Sequence, residues 1–359
     1  MATTFKTLLN NDSTTTRTLL HEAIPVTGTI VSGTYDEADA NQTNIKNYSH
    51  GMFQSVYDYP YLSSSANQIF DLTVGYSNNS GLSGTTAGHT QNAKKINIYN
   101  QMSQVLVGYD SSGNIREFDQ DGNFAAGGTK LQECIFVNFA RLLTKDEIKK
   151  GSFEAKVLTG STTASPTDVL TISDYGAANN YRVNSPAGEY GVLYTASAAE
   201  EGTGVGLLYY QAGIAVLTAS VFSFEGAGSV FCDFGSPVEF KTSAEGGIEA
   251  SLTGSEISAS ADGFRNRLQN VQFNNTTELN STIYFCRANH NDFNYSANPT
   301  YLSQSKLVVK ETSTDSPVSY VTTVGLYSAD NELLAVAKLS EPIKKTPDTE
   351  VTFRVRLDY

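Results

Sequence analysis

Apolar and polar residues alternate strictly along residues 351–358. Val351, Phe353, Val355 and Leu357 interleave with Thr352, Arg354, Arg356 and Asp358, a period of two that predicts a half-buried strand. Just before it, "TTVGLYSADNELLAVAKL" (322–339) predicts two strands around a turn, followed by a proline-punctuated link. Near-continuous apolar runs predict buried strands in "ECIFVNF", "YGVLYTA", "GLLYYQA" and "IAVLTASVF", with Ala212 and Gly213 as a turn. Further strands are expected at "TGTIVSGTY" (27–35), at Ile69, Leu72, Val74 and Tyr76, and at "SFEAKVL" (152–158). "NRLQNVQFNN", "NSTIYFCRAN" and "KLVVKET" are read the same way. Residues 93–107 are the best helix candidate, because Ile98, Met102, Val105 and Leu106 recur at helical spacing. "TTTRTLLHEAIP" (14–25) reads as one helical turn or two stopped by Pro25. "TKDE" (144–147) reads as a capping box opening a brief helix that Gly151 ends.

The fold class that follows is mainly β with a few short helices, in β-sandwich-like domains of antiparallel sheets. A chain of 359 residues has room for several domains. Texture suggests an arm at 1–30, a β-rich domain at 31–160 with one or two short helices, a middle β-domain at 161–265 rich in small residues, and a C-terminal β-domain at 266–359 packing with 31–160. No fixed-period repeat is visible, so a solenoid is not expected.

Composition narrows the function classes. Charged residues make up only 17% of the chain, so Asn, Ser, Thr and Gly carry its solubility. Twenty Tyr and no Trp, with many β-branched residues, favour strand. A net charge of -13 argues against a nucleic-acid partner, which requires Lys and Arg against phosphate. It also argues against docking on anionic membrane. The longest apolar run is interrupted by Gln211, Gly213, Thr218 and Ser220, too often for membrane insertion. No apolar signal core opens the sequence. Cys134, Cys232 and Cys286 stand far apart without CxxC spacing and read as small buried hydrophobes in a reducing cytosol.

No motif assembles a catalytic or cofactor site. "EGTGVG" (201–206) lacks the strand, helix and lysine of a nucleotide loop and reads as a turn. "FDQDGN" (118–123) has Gly122 too early for a calcium loop and reads as a hairpin turn. His21, His50, His89 and His290 show no ligand spacing. In "CRANHNDFNYS" (286–296), Asn289, Asn291 and Asn294 are expected to fix a tight loop. A non-enzyme without metal or cofactor is the reading.

Longer phrases carry a resemblance. "NYSHGMFQSVYDYPYLSSSANQIFDLTVGYS", "KKINIYNQMSQVLVGYD", "NFARLLTKDEIKKGSFE" and "ELNSTIYFCRANHNDFNYSANPTYL" resemble virion structural proteins of T4-like tailed bacteriophages, those of marine cyanophages especially. The segment from Gly325 to Val336 resembles a strand-turn-strand of phage tail-collar and tail-fibre attachment domains, with Asn331 where Gly is usual. The resemblance implies a virion structural protein assembled in the host cytoplasm. It would act as a tail, baseplate or neck adaptor connecting fibres or rings. Its partners would be fibre, baseplate or neck subunits and further copies of itself in a symmetric ring or trimer. A receptor- or carbohydrate-binding module at the particle periphery, and a head-vertex or collar protein, are the alternatives. The candidate interaction surface is Gly325, Tyr327, Asp330, Asn331, Arg354, Arg356, Asp358 and Tyr359.

Overall fold

A computed structural model describes residues 5–27, 43–84, 89–125, 127–158, 169–195, 204–222, 230–232, 240–242, 252–253, 256–294, 302–303, 306–307, 314 and 316–359. Its strands, in chain order, are β1 (Ser13–Thr27), β2 (Ile45–Asn47), β3 (Gln54–Tyr57), β4 (Gln68–Tyr76), β5 (Phe118–Asp119), β6 (Lys130–Leu131), β7 (Glu133–Phe139), β8 (Glu147–Ile148), β9 (Glu154–Leu158), β10 (Val169–Ser173) and β11 (Arg182–Ser185). They continue with β12 (Gly188–Tyr194), β13 (Gly204–Tyr209), β14 (Ile214–Thr218), β15 (Val230–Cys232), β16 (Phe240–Thr242), β17 (Leu268–Ala288), β18 (Leu302–Ser303), β19 (Lys306–Leu307), β20 (Ser319–Tyr327), β21 (Leu333–Lys345) and β22 (Val351–Asp358). The helices α1 (Asn92–Leu106), α2 (Arg141–Thr144) and α3 (Ile257–Arg267) are short. The protein is therefore mainly β, with antiparallel sheets. Among the described residues no helix is long and apolar enough to cross a membrane.

The chain divides into two compact units: a terminal unit, Met1–Leu19 with Glu278–Tyr359, and a central unit, Leu20–Thr277. In the central unit the strands follow the order β17, β9, β10, β12, β13, β14, β7, β4, β3, β2. One cross-strand row runs Val74, Ile135, Leu217, Gly206, Leu193. Apolar residues on successive positions of β7, β13 and β14 are buried, which explains their unbroken apolar runs. Helix α1 approaches β4 closely at Gly75. A Cβ there would lie 2.6 Å from the Lys95 carbonyl oxygen and 3.0 Å from the Tyr99 amide. Tyr99 then joins the helix to the small β5–β6 sheet. Its hydroxyl donates to the Leu131 carbonyl (2.8 Å) and accepts from the Phe118 amide (3.2 Å). Gly213, at φ +68, makes the turn expected between β13 and β14.

Several expectations are corrected. Residues 14–25 form strand, not helix. β-Branched Thr15 and Thr16 reach Thr282 and Ser281 of β17, while the Glu22 amide reaches Asn275, so pairing overrides the local helix cue. Thr144 closes helix α2 instead of opening one. Lys145 turns left-handed at φ 55, and the Asp146 and Ile148 amides bond Thr276 and Tyr210 carbonyls. "NRLQNVQFNN" and "NSTIYFCRAN" belong largely to one strand, β17. Helix α3 occupies part of the stretch read as a small-residue β-domain, with Ile257, Ala261 and Phe264 buried. The expected middle domain supplies β10 and β12–β14 to the same sheet as β4, β7 and β9, because their apolar faces complete one core. Gly204 and Gly206 sit in β13, not in a turn. Residues 28–35 of "TGTIVSGTY" lie outside the described residues, as does the Cys232 side chain.

Candidate interaction surface

The polar segment after β17 is the anchor of the terminal unit. The Asp292 amide donates to the Asn289 carbonyl (3.0 Å), and the Asn289 amide donates to Asp292 Oδ2 (3.2 Å). Lys6 also pairs with Asp292, and its hydrogen bond is the main cause holding that carboxyl below the usual range. Asn294 Nδ2 donates to the His290 carbonyl (2.8 Å). The loop is thus fixed by Asp292 and Asn294, with Asn289 contributing its backbone.

The base of the β20–β21 hairpin fastens onto this loop. Ser319 and Lys345 face one another across the pair. Ser319 Oγ donates to the Phe293 carbonyl. Lys345, fully buried, sends its ammonium to Asn294 Oδ1 (2.8 Å), the Thr346 carbonyl (2.8 Å) and the His290 carbonyl (3.2 Å). All three ammonium donors are used, which makes burial of the charge tolerable.

Away from its base the hairpin is exposed. At its turn Asn331 adopts φ 63, the left-handed geometry Asn tolerates where Gly is usual. The Asn331 amide donates to the Ser328 carbonyl (3.1 Å), and the Glu332 amide to Ser328 Oγ (3.1 Å). Asp330 and Asn331 are exposed there. Gly325 lies beneath Tyr327 and Leu333, whose side chains would sit 3.0 and 3.3 Å from a Cβ at that position. Tyr327 in turn meets the Phe5 ring edge-on at 4.9 Å. Tyr320, Tyr327, Leu333, Leu334, Val336 and Ile343 are all exposed, Leu334 at 68%.

Arg354, Arg356, Asp358 and Tyr359 lie on or next to β22, which does not extend the hairpin. It pairs with β17 from Ser281↔Asp358 to Ala288↔Val351, while β20 and β21 pair only with each other among the described residues. In this register Phe353 meets Cys286 and Val355 meets Tyr284, while Arg354 and Arg356 stand opposite Phe285 and Ile283. Arg354, Arg356 and Asp358 are on its exposed positions. Arg356 donates to Asp358 Oδ1 (2.7 Å) and to Ser281 Oγ (3.1 Å). Hydrogen bonds from Ser281 and then Arg356 hold the Asp358 carboxyl low. The Tyr359 amide donates to the Asn280 carbonyl (2.8 Å), and its hydroxyl lies 3.0 Å from Thr282 Oγ1. The eight expected residues therefore form two surfaces, one on the hairpin and one on β22.

Other chemistry-bearing groups are enclosed. Asp174 accepts from the Gly151 and Phe153 amides and from the Tyr210 hydroxyl. Burial raises its carboxyl from the ordinary 3.8 to about 6. The Lys95 ammonium is held by Thr90 and Leu252 carbonyls, and burial lowers it to about 8. Burial also raises the Cys134 thiol, while Cys286 is half-buried. In the "FDQDGN" turn Lys130 pairs with Asp119 at 2.6 Å, so a cation of the chain already occupies that carboxylate. Among the described residues no cluster of three or more His, Cys, Asp or Glu could hold a metal ion.

Sequence reasoning missed one property of this surface, although the charges were in plain view. The terminal unit has ten Lys and Arg against eleven Asp and Glu, net -1; the central unit has fourteen against twenty-six, net -12. Only the division of the chain reveals this segregation. Comparison with protein-family models, curated proteins and solved structures gave no match.

Proposed function

We propose that the protein is a structural, non-enzymatic component of a tailed-bacteriophage virion. In this reading it is a tail, baseplate or neck adaptor that contacts fibre, baseplate or neck subunits through its terminal unit. The observation that carries the proposal is the hairpin: a firmly anchored base, a defined turn, and six exposed large apolar side chains beyond it. Exposed apolar groups on a fixed scaffold are what a protein interface uses. The resemblance of the sequence phrases to virion proteins supplies the setting. Immunogold labelling of purified particles with an antibody to this chain tests the proposal. Label on the tail or neck is expected; label found only in the soluble lysate rejects it.

One observation favours a second reading, a receptor- or glycan-binding module. Tyr57 and Tyr61 adjoin at 6.3 Å, and nearby in sequence Tyr59 and Leu62 are 57% and 87% exposed. Aromatic rings of this kind can stack on sugars. Binding on a glycan array that Tyr59→Ala abolishes would favour this reading over the adaptor.

A further inference from the structure

The two edges of the hairpin are built differently. Strand β21 carries every irregularity. Opposite Thr322 alone stand the four residues 339–342, because Val321 pairs with Ile343 and Thr323 with Lys338. Leu334 is a second extra residue, since Leu326 pairs with Ala335 and Tyr327 with Leu333. Strand β21 also holds Lys338, Glu341, Pro342, Lys344 and Lys345. Bulges, lysines and proline are the devices that keep an edge strand from pairing with another chain. Strand β20, "SYVTTVGLY", has none of them: no charge, no proline, and no extra residue in its register. It is rich in Val, Thr and Tyr, and its other edge pairs with no described strand.

We infer that this edge of β20 pairs antiparallel with β20 of a second copy of this chain. The inference deepens the assembly reading above and rests on it for its biological meaning. Three observations select a second copy as the occupant. An uncharged strand opposes itself without like-charge contact, and a pairing centred on Thr323 sets Thr323 against Thr323, Thr322 against Val324 and Tyr320 against Leu326. Charge segregation directs the approach: two chains of net -13 repel, and repulsion is least where each presents its nearly neutral terminal unit. Two-stranded sheets are marginal alone, and the pairing makes a four-stranded sheet, β21–β20–β20–β21. The contact is isologous, so it closes as a two-fold dimer and leaves the guarded β21 edges outside.

Sedimentation velocity of the full-length chain, over a range of concentrations, tests this. A dimer is expected for the native sequence. Thr323→Glu should give a monomer, because the dimer would oppose two carboxylates while the hairpin itself still pairs Glu with Lys338. An equimolar mixture of Thr323→Glu and Thr323→Lys chains should restore the dimer. Ser340→Glu, on the guarded strand, should leave it intact. A native chain that stays monomeric at every concentration overturns the inference. So does a dimer that Thr323→Glu leaves unchanged, or one that Ser340→Glu dissociates equally. Labelled particles built from a monomeric protein would remove this inference and keep the adaptor reading. A dimer absent from particles would do the reverse.

Discussion

The central and terminal units use the same strand-rich vocabulary toward opposite ends. In the central unit a broad sheet buries its apolar runs and closes on helix α1 at Gly75, and the unit as a whole has nearly all the net negative charge. In the terminal unit β22 pairs with β17 over eight positions, and a two-stranded hairpin presents its apolar residues to solvent. A strand hidden on both faces contributes stability. A strand whose second edge meets no described strand and whose apolar residues are exposed adds far less to a core. The difference teaches that in this chain charge and burial, rather than secondary structure, separate the two units.

Substitutions can break that comparison. The largest effect is expected in the central core. Phe136 is fully buried against Phe118 and Tyr99, so Phe136→Ala should cost about 3–5 kcal/mol in chemical denaturation. A loss as small as that of a surface change would show that the unit is not packed as described.

Next comes a pH effect. Asp174 holds its proton more tightly folded, at about 6, than at the ordinary 3.8. Its contribution is therefore fully present below 3.8 and is lost as pH rises through about 6. Each tenfold difference in proton affinity between folded and unfolded chain is worth about 1.4 kcal/mol, so the loss is about 3 kcal/mol. Asp174→Asn should remove this component, so the variant gains on the native chain between those two pH values. Urea midpoints that track each other across the range would contradict it.

In the terminal unit, Lys345→Met removes the donor shared by Asn294 Oδ1 and the Thr346 and His290 carbonyls, leaves only Thr349 and Asn294 donating to those two carbonyls, and should cost about 1–3 kcal/mol. Its signature is local: hairpin amides should exchange faster with solvent while those of β7 and β14 keep their protection. The two glycines give the sharpest contrast. Gly75→Ala forces a methyl onto helix backbone and should cost about 1–3 kcal/mol. Gly325→Ala meets only an exposed tyrosine ring and a leucine, both able to shift, and should fall within about 0.5 kcal/mol. Equal melting shifts for the two would erase the distinction between the units.

The legible parts of the sequence were those governed by local period. The alternation of residues 351–357, the apolar runs of β7 and β14, the helical spacing of α1 and the left-handed Asn331 all follow from neighbours in sequence. What stayed hidden depends on distant partners. Thr15 is strand because Thr282 lies beside it, and Thr144 ends a helix because the residues after it enter β8. The hairpin was readable as a candidate surface, yet the ladder taking β22 to β17 was not, since either neighbour suited its alternation. Nor could the buried Lys345 be distinguished from its exposed neighbour Lys344 before the loop that receives it was in place.

Amide hydrogen exchange of the native chain, compared at high and low protein concentration, tests most directly the claim that the terminal unit associates through β20. Slower exchange on concentration is expected for amides of β20, with β21 and the central strands unchanged. Protection that grows instead in the central unit, or exchange in β20 that ignores concentration, would contradict it.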